Sequence, residues 1–174
     1  MSTSSAAARV RANIKELFQA NLAPGDAYIR FQLTSEMTAL LSMDQVQESL
    51  IVEVEQITPL PSMPESVIGI ISSRNHVFCV FDLARFLKLP SGLITPRQYQ
   101  IIVLQTTSEP SIYFGLAVTS LQGIVRLPTA QIQSSLTAFP DNITPYLCGA
   151  VLKEEKMMPV FEFNRISEAL SYVS

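Results

Sequence analysis

The chain repeats itself. The stretch "GIISSRNHVFCVFDLARF" (69–86) lies over "GAVLKEEKMMPVFEFNRI" (149–166), so that Gly69 meets Gly149, Val80 meets Val160 and Phe81 meets Phe161. Asp82 then meets Glu162, and Arg85 meets Arg165. With a slightly smaller displacement "ALLSMDQVQESLIV" lies over "FGLAVTSLQGIVRL": Leu41 on Leu116, Met43 on Val118, Val46 on Leu121. Leu60-Pro61 and Leu127-Pro128 follow in the two copies. Chance can align apolar strands, but a shared Gly, a shared Val-Phe-acid triplet and a shared Arg make duplication the better reading. A five-strand pattern occurring twice predicts two small barrels side by side, each too small to be very stable alone. Their interface is expected to be apolar, with a groove along it.

The pattern along the chain agrees. Val10, Ile14, Leu17, Phe18 and Leu22 form one apolar stripe, which predicts a helix over 5–22 that stops at Pro24-Gly25. From Tyr28 the period becomes two: Ile29, Phe31 and Leu33 share one face, Tyr28, Arg30 and Gln32 the other. Short β-type runs follow at 38–43, 67–72, 77–83, 100–105, 112–118, 147–152 and 157–163, mostly punctuated by Pro, Gly, Ser and Asn. Near the end, "NRISEALSYV" predicts a closing helix with Asn164 as N-cap and Ile166, Leu170 and Val173 as its stripe.

Composition removes whole classes of function. A chain of 174 residues that is 48% hydrophobic and 16% charged has the wrong balance for disorder. A net charge of −3 offers no basic field for nucleic acid, and the few, dispersed cations give no aromatic-interleaved basic face for a single strand. No apolar run reaches the roughly 18 residues of a spanning helix, and the N-terminus lacks a signal-peptide core. The expectation is a cytoplasmic protein with no direct membrane insertion. Cys79 and Cys148 lie in apolar runs and read as buried thiols, without a zinc signature.

The chain's one histidine, His76, sits in "SSRNHVF". Both flanks are strand-like, so "RNH" is where a hairpin reverses, with Asn75 suited to the left-handed conformation of a tight turn. The second copy has "KEEK" there. A catalytic histidine needs an orienting carboxylate and a nucleophile or metal. His76 has neither in pattern and reads as a solvated turn residue. Arg74 is open on the residues alone: a routine strand-end charge, or a planar five-donor fork offered to a partner. A duplicated lobe with Asp82 invites comparison with paired-carboxylate proteases, but "FDLAR" and "FEFNR" lack their motif. The simplest role for Asp82 and Glu162 is as strand-end acceptors.

The stretch "LPSMPESVIGIISSRNHVFCVFDL" resembles the signature of the CheW-like adaptors of bacterial chemotaxis. Pro61, Pro64, Gly69, Ile70, Arg74, Val80, Asp82 and Leu83 match that signature. Upstream, "DQVQE" is similar to the family's Val-x-Glu element; downstream, "FGLAVTSLQGIVRLP" and "YLCGAVLKEEKMMPVFEFNRI" resemble its later strands and closing helix. The resemblance covers about residues 27–170.

The resemblance implies a mainly β fold of two intertwined five-stranded SH3-like barrels. To these the chain adds an N-terminal helical extension (1–26), ahead of a CheW-like domain (27–174) that ends in a helix. It implies a scaffold that is no enzyme and needs no cofactor. Such a scaffold couples chemoreceptor cytoplasmic tips to the regulatory domain of a CheA-type histidine kinase, peripheral to receptor arrays at the inner membrane. Carried over by position, Val46, Glu48 and Arg74 would face the receptor, and Asn75, Gly115, Leu116 and Val118 would lie nearer the kinase. The chain departs from the family at Asn75 (Gly), Cys79 (Pro) and Thr38-Ala39 (an aromatic-Gly pair). These departures point to a specialised array, for gliding, pili or phototaxis. The extra helix reads equally as a core cap or as a partner-binding element. The alternative to the adaptor reading is a stand-alone β-barrel peptide-binding module.

Overall fold

The computed structural model describes residues 25–171 except 95 and 108. The expected helix at 5–22 lies outside the described residues. Ten strands form: β1 Asp26–Thr34, β2 Met37–Ser42, β3 Val46–Glu53, β4 Val67–Ser73, β5 His76–Asp82, β6 Gln98–Gln105, β7 Tyr113–Val118, β8 Ser120–Leu127, β9 Leu147–Lys153 and β10 Lys156–Phe161. Two helices accompany them, α1 Leu83–Phe86 and α2 Phe163–Ser171.

The strands make two five-stranded sheets, ordered β8-β1-β2-β10-β9 and β3-β6-β7-β5-β4. Each curls into a small SH3-like barrel, and the two are built alike. Val160 pairs with Leu40 across the parallel β10/β2 contact, and Val80 pairs with Gly115 across β5/β7. An isolated bridge closes each barrel, Thr58 to Ile70 in one and Gln133 to Ala150 in the other. The Asp82 amide donates to the Ser66 carbonyl at 2.7 Å, and the Glu162 amide to the Tyr146 carbonyl at 2.9 Å. The duplication therefore holds at the level of single hydrogen bonds.

The copies do not each make a barrel. The first barrel takes β1 and β2 from the first copy and β8, β9 and β10 from the second. The second barrel takes β3, β4 and β5 from the first copy and β6 and β7 from the second. The barrels are thus intertwined, as the family resemblance implied, and not built one per copy as the repeat alone would suggest. The copies thus exchange β3–β5 for β8–β10, and of these β3 and β8 are absent from the apolar runs of the sequence. Both are sheet-edge strands with few buried positions, β3 alternating between half-buried and exposed, so polar residues interrupt their pattern.

Three cores result. Tyr28, Leu40, Leu127, Val151, Met158 and Val160 fill the first barrel. Ile57, Ile71, Phe78, Val80, Tyr99, Ile101, Val103 and Ala117 fill the second. The largest core lies between the barrels, where Ile29, Phe31 and Leu33 of β1 meet Phe81, Ile102, Leu104, Phe114, Leu116 and others. Strands β2, β6 and β7 are buried on both faces because one face serves a barrel and the other the interface. The β1 alternation follows the reading from sequence, with Ile29, Phe31 and Leu33 together.

Two local readings change. Helix α2 begins at Phe163, so Asn164 lies inside its first turn rather than capping it. The Asn164 side chain instead accepts from Gln45 Nε2 at 2.8 Å. Cys148 is exposed, and Cys79 is half-buried. Cys148 is the extra residue of a bulge, since Leu147 and Gly149 face the adjacent residues Phe161 and Val160. Ile68 is its equivalent in β4. Partial loss of solvent around the sulfur raises both thiol pKa values, so neither cysteine is an activated thiolate.

Candidate functional site

The turn at residues 74 and 75 is the local key. Ser73 pairs with His76, leaving a two-residue loop whose members have φ of 51° and 66°. That is the twist of a type I′ turn, which suits the right-handed twist of the flanking strands. Arg74 is therefore the first turn residue rather than a strand end. Its side chain, 79% exposed, reaches back to β3, where its Nε lies 3.0 Å from Glu48 Oε2. Ser73 Oγ donates to Glu48 Oε1 at 3.0 Å. The Glu48 side chain is only 15% exposed, so both carboxylate oxygens are held and the arginine is aimed.

His76 opens β5, and its ring stacks on Tyr113 with centroids 4.1 Å apart. It is exposed at the surface, with Tyr113 against one side of its ring. Glu48, Ser73, Arg74, His76, Phe78 and Tyr113 share the lining of one small surface hollow.

A larger groove lies beside it, about 370 Å³, between β3 of one barrel and β1 and β8 of the other. Val46, Gln47 and Glu48 form one wall; Leu121, Gly123 and Ile124 form the opposite wall, over Ile29 and Met43. Ile124 is 51% exposed. Both walls are irregular at matching places: the β3/β6 register slips between Val46 and Glu48, and the β1/β8 register slips between Ile29 and Phe31. Gly123 has φ of 98° at the second slip, with open space where a side chain would stand. Glu48 lines both the groove and the hollow, so Val46, Glu48 and Arg74 form one continuous surface.

Of the four residues expected nearer the kinase, three differ in kind. Asn75 is exposed at the turn, as expected. Gly115, Leu116 and Val118 lie in β7, the central strand of its sheet, with backbone neighbours on both sides. Leu116 and Val118 are 0% and 2% exposed, and both belong to the core between the barrels. A Cβ at Gly115 would sit 3.0 Å from Ile101 Cγ2 and 3.2 Å from Phe78 and Val80. A kinase contact by these three gives way to a packing role, because they have no surface to offer. The groove wall at Leu121–Ile124 is missing from the sequence reading. The alignment of Val46 with Leu121 carried the signal, since equivalent edge strands can face each other across a pseudo-symmetric interface.

Asp82 and Glu162 are strand-end acceptors, as read. Asp82 Oδ1 accepts from the Arg85 amide at 3.2 Å and Oδ2 from Ser91 Oγ at 2.6 Å. Arg85 and Arg165 close matching ion pairs to Asp82 and Glu162 at 3.4 and 2.9 Å. Among the described residues no group of three His, Cys, Asp or Glu side chains could hold a metal ion. No helix of the described residues is long and apolar enough to cross a membrane.

Two barrels sharing strands, an apolar groove between them and an anchored arginine at its end define a double-barrel binding scaffold. A family model for the CheW-like domain matches residues 27–171. The chain belongs to the CheW-like domain family, scaffold adaptors of chemotactic signal transduction. Among solved structures it is similar to the scaffolding protein TtCheW from Thermoanaerobacter tengcongensis, with a TM-score of 0.67 and 20% identity. That match covers 80% of this chain and 90% of the other, and at such identity it speaks for the fold alone. A comparison with curated protein sequences found no match.

Proposed function

We propose that this chain is a non-enzymatic adaptor that couples chemoreceptor cytoplasmic tips to the regulatory domain of a CheA-type histidine kinase. The observation that carries the reading is the continuous surface from the inter-barrel groove through Val46 and Glu48 to Arg74. A receptor hairpin would lay an apolar stripe along Ile29, Val46, Leu121 and Ile124. Arg74, pre-aimed by Glu48, would meet an acceptor at the groove's end at little entropic cost. The turn at Asn75 would lie on the kinase side. The protein would then work in the cytoplasm at receptor arrays, without entering the membrane itself.

Arg74→Ala tests this. The Arg74–Glu48 pair is largely solvent-exposed on the arginine side, so its loss costs the fold no more than about 1 kcal/mol. Binding to a receptor-tip hairpin, followed by calorimetry, weakens by about 1–3 kcal/mol. His76→Ala changes that binding little. If the unaltered protein binds neither receptor tips nor the kinase regulatory domain, yet takes unrelated peptides in the groove, it is a stand-alone peptide-binding module.

A further inference from the structure

The two barrels end differently. In the second, Phe78, Val103 and Tyr113 line the small hollow beside Glu48 and Arg74, about 170 Å³. The pairings put Arg30 of the first barrel where the second has Val103: Arg30 faces Leu40 as Val103 faces Gly115. Leu40 and Gly115 in turn are the partners of Val160 and Val80. On the hairpins, Lys153 replaces Ser73, Lys156 replaces His76 and Met158 replaces Phe78. At the equivalent place is a larger cavity of about 290 Å³, whose lining includes Arg30, Thr38, Lys153, Lys156 and Met158.

The charges here are not balanced within the fold. Lys153 and Lys156 are directly opposed across the β9/β10 ladder, a like-charge pair that costs stability. Among the described residues Arg30, Lys153 and Lys156 form no ion pair. Arg30 Nε donates to Gln122 Oε1 at 3.0 Å. Glu36 and Glu154 also stand on the lining, which remains net cationic. Beside it Leu152, 56% exposed, pairs with Met157.

We infer that the open end of the first barrel docks an acidic protein segment. Its carboxylates meet Arg30, Lys153 and Lys156, and a neighbouring apolar side chain covers Leu152 and Met157. Charge complementarity selects the occupant. The chain's own residues 1–24 carry Arg9, Arg11 and Lys15 against Glu16, the wrong sign for this cavity. A polyphosphate or a nucleic-acid backbone would meet the same cations but has no apolar side chain to cover Leu152 and Met157.

The probe is a fluorescein-labelled peptide of Asp, Glu and Leu, titrated with the full chain. Saturable binding is expected, with amide shifts centred on Arg30 and 153–156. Lys153→Glu with Lys156→Glu weakens it at least about tenfold, while Arg74→Ala leaves it unchanged, which separates this surface from the groove. Lys153→Gln with Lys156→Gln weakens binding with an equal or higher melting temperature, because the like-charge pair is gone; this variant decides if the charge reversal fails to fold. Absence of binding, binding indifferent to both double variants, or a lower melting temperature in the glutamine variant overturns the inference. So does tighter binding of tripolyphosphate or a single-stranded oligonucleotide, which assigns the cavity to phosphate instead.

Discussion

At the residue scale, the repeated glycines show how much one missing Cβ decides. Gly69 and Gly149 follow the extra bulge residues Ile68 and Cys148, where a loop crosses to close each barrel. A Cβ at Gly69 would sit 2.3 Å from the Thr58 carbonyl oxygen, which accepts from the Ile70 amide while the Thr58 amide donates to the Ile70 carbonyl. A Cβ at Gly149 would meet Ile132 Cγ2 at 2.4 Å and the Gln133 oxygen at 2.9 Å. The first clash is with backbone, the second begins at a side chain that can give. Gly69→Ala is therefore expected to cost at least about 2 kcal/mol, lowering the melting temperature by at least about 4 °C. Gly149→Ala should cost less. Calorimetric melts of both variants check the order, and an unchanged melt for Gly69→Ala would mean that the closing loop is free to move. The importance of these glycines was legible from the repeat; the atoms they make room for were not.

At the element scale, the two equivalent hairpins have been put to different uses. Arg74-Asn75 and Glu154-Glu155 both occupy left-handed backbone, with φ of 51° and 66° in one turn and 52° and 65° in the other. An L side chain there costs about 1–2 kcal/mol, least for Asn. In the first turn that cost accompanies an arginine aimed by Glu48 and Ser73. In the second, neither glutamate forms an ion pair among the described residues. Glu154→Asn with Glu155→Gly supplies the pair that type I′ turns prefer, and should raise stability by about 1 kcal/mol in urea melts. The same exchange at Arg74-Asn75 should gain less, because it also releases Glu48. Equal gains at both turns would show that the Arg74–Glu48 pair contributes nothing to the fold. The hairpins were readable from the apolar flanks and the turn residues. Strands β3 and β8 were not, because a half-exposed edge strand carries no continuous apolar run.

At the scale of the molecule, exchange of β3–β5 for β8–β10 makes the copies interdependent. Each barrel draws strands from both copies, and the largest core lies between them. Residues 25–90 alone would hold β1 and β2 without β8–β10, and β3–β5 without β6 and β7. Neither partial sheet can close or cover its apolar face. Fragments 25–90 and 96–171, expressed separately, should each lack a cooperative melt by circular dichroism. Mixed in equal amounts, they should regain the β spectrum and a single transition. A fragment that melts cooperatively by itself would show that a copy is an independent folding unit.

The sequence by itself determined that this chain is a duplicated β protein with a closing helix, that its hairpins reverse within "RNH" and "KEEK", and that it resembles the CheW-like family. Those properties live in local period, turn chemistry and matched spacing, which are written along the chain. Only the tertiary structure decided which strands each barrel takes from each copy, that Gly115, Leu116 and Val118 are core, and that Glu48 and Arg74 meet at 3.0 Å. The reason is physical. Period two states that a strand has two faces, but in β7 both faces are buried, one by its own barrel and one by the neighbouring barrel. Which partner covers each face is set by long-range pairing, and no local pattern records it.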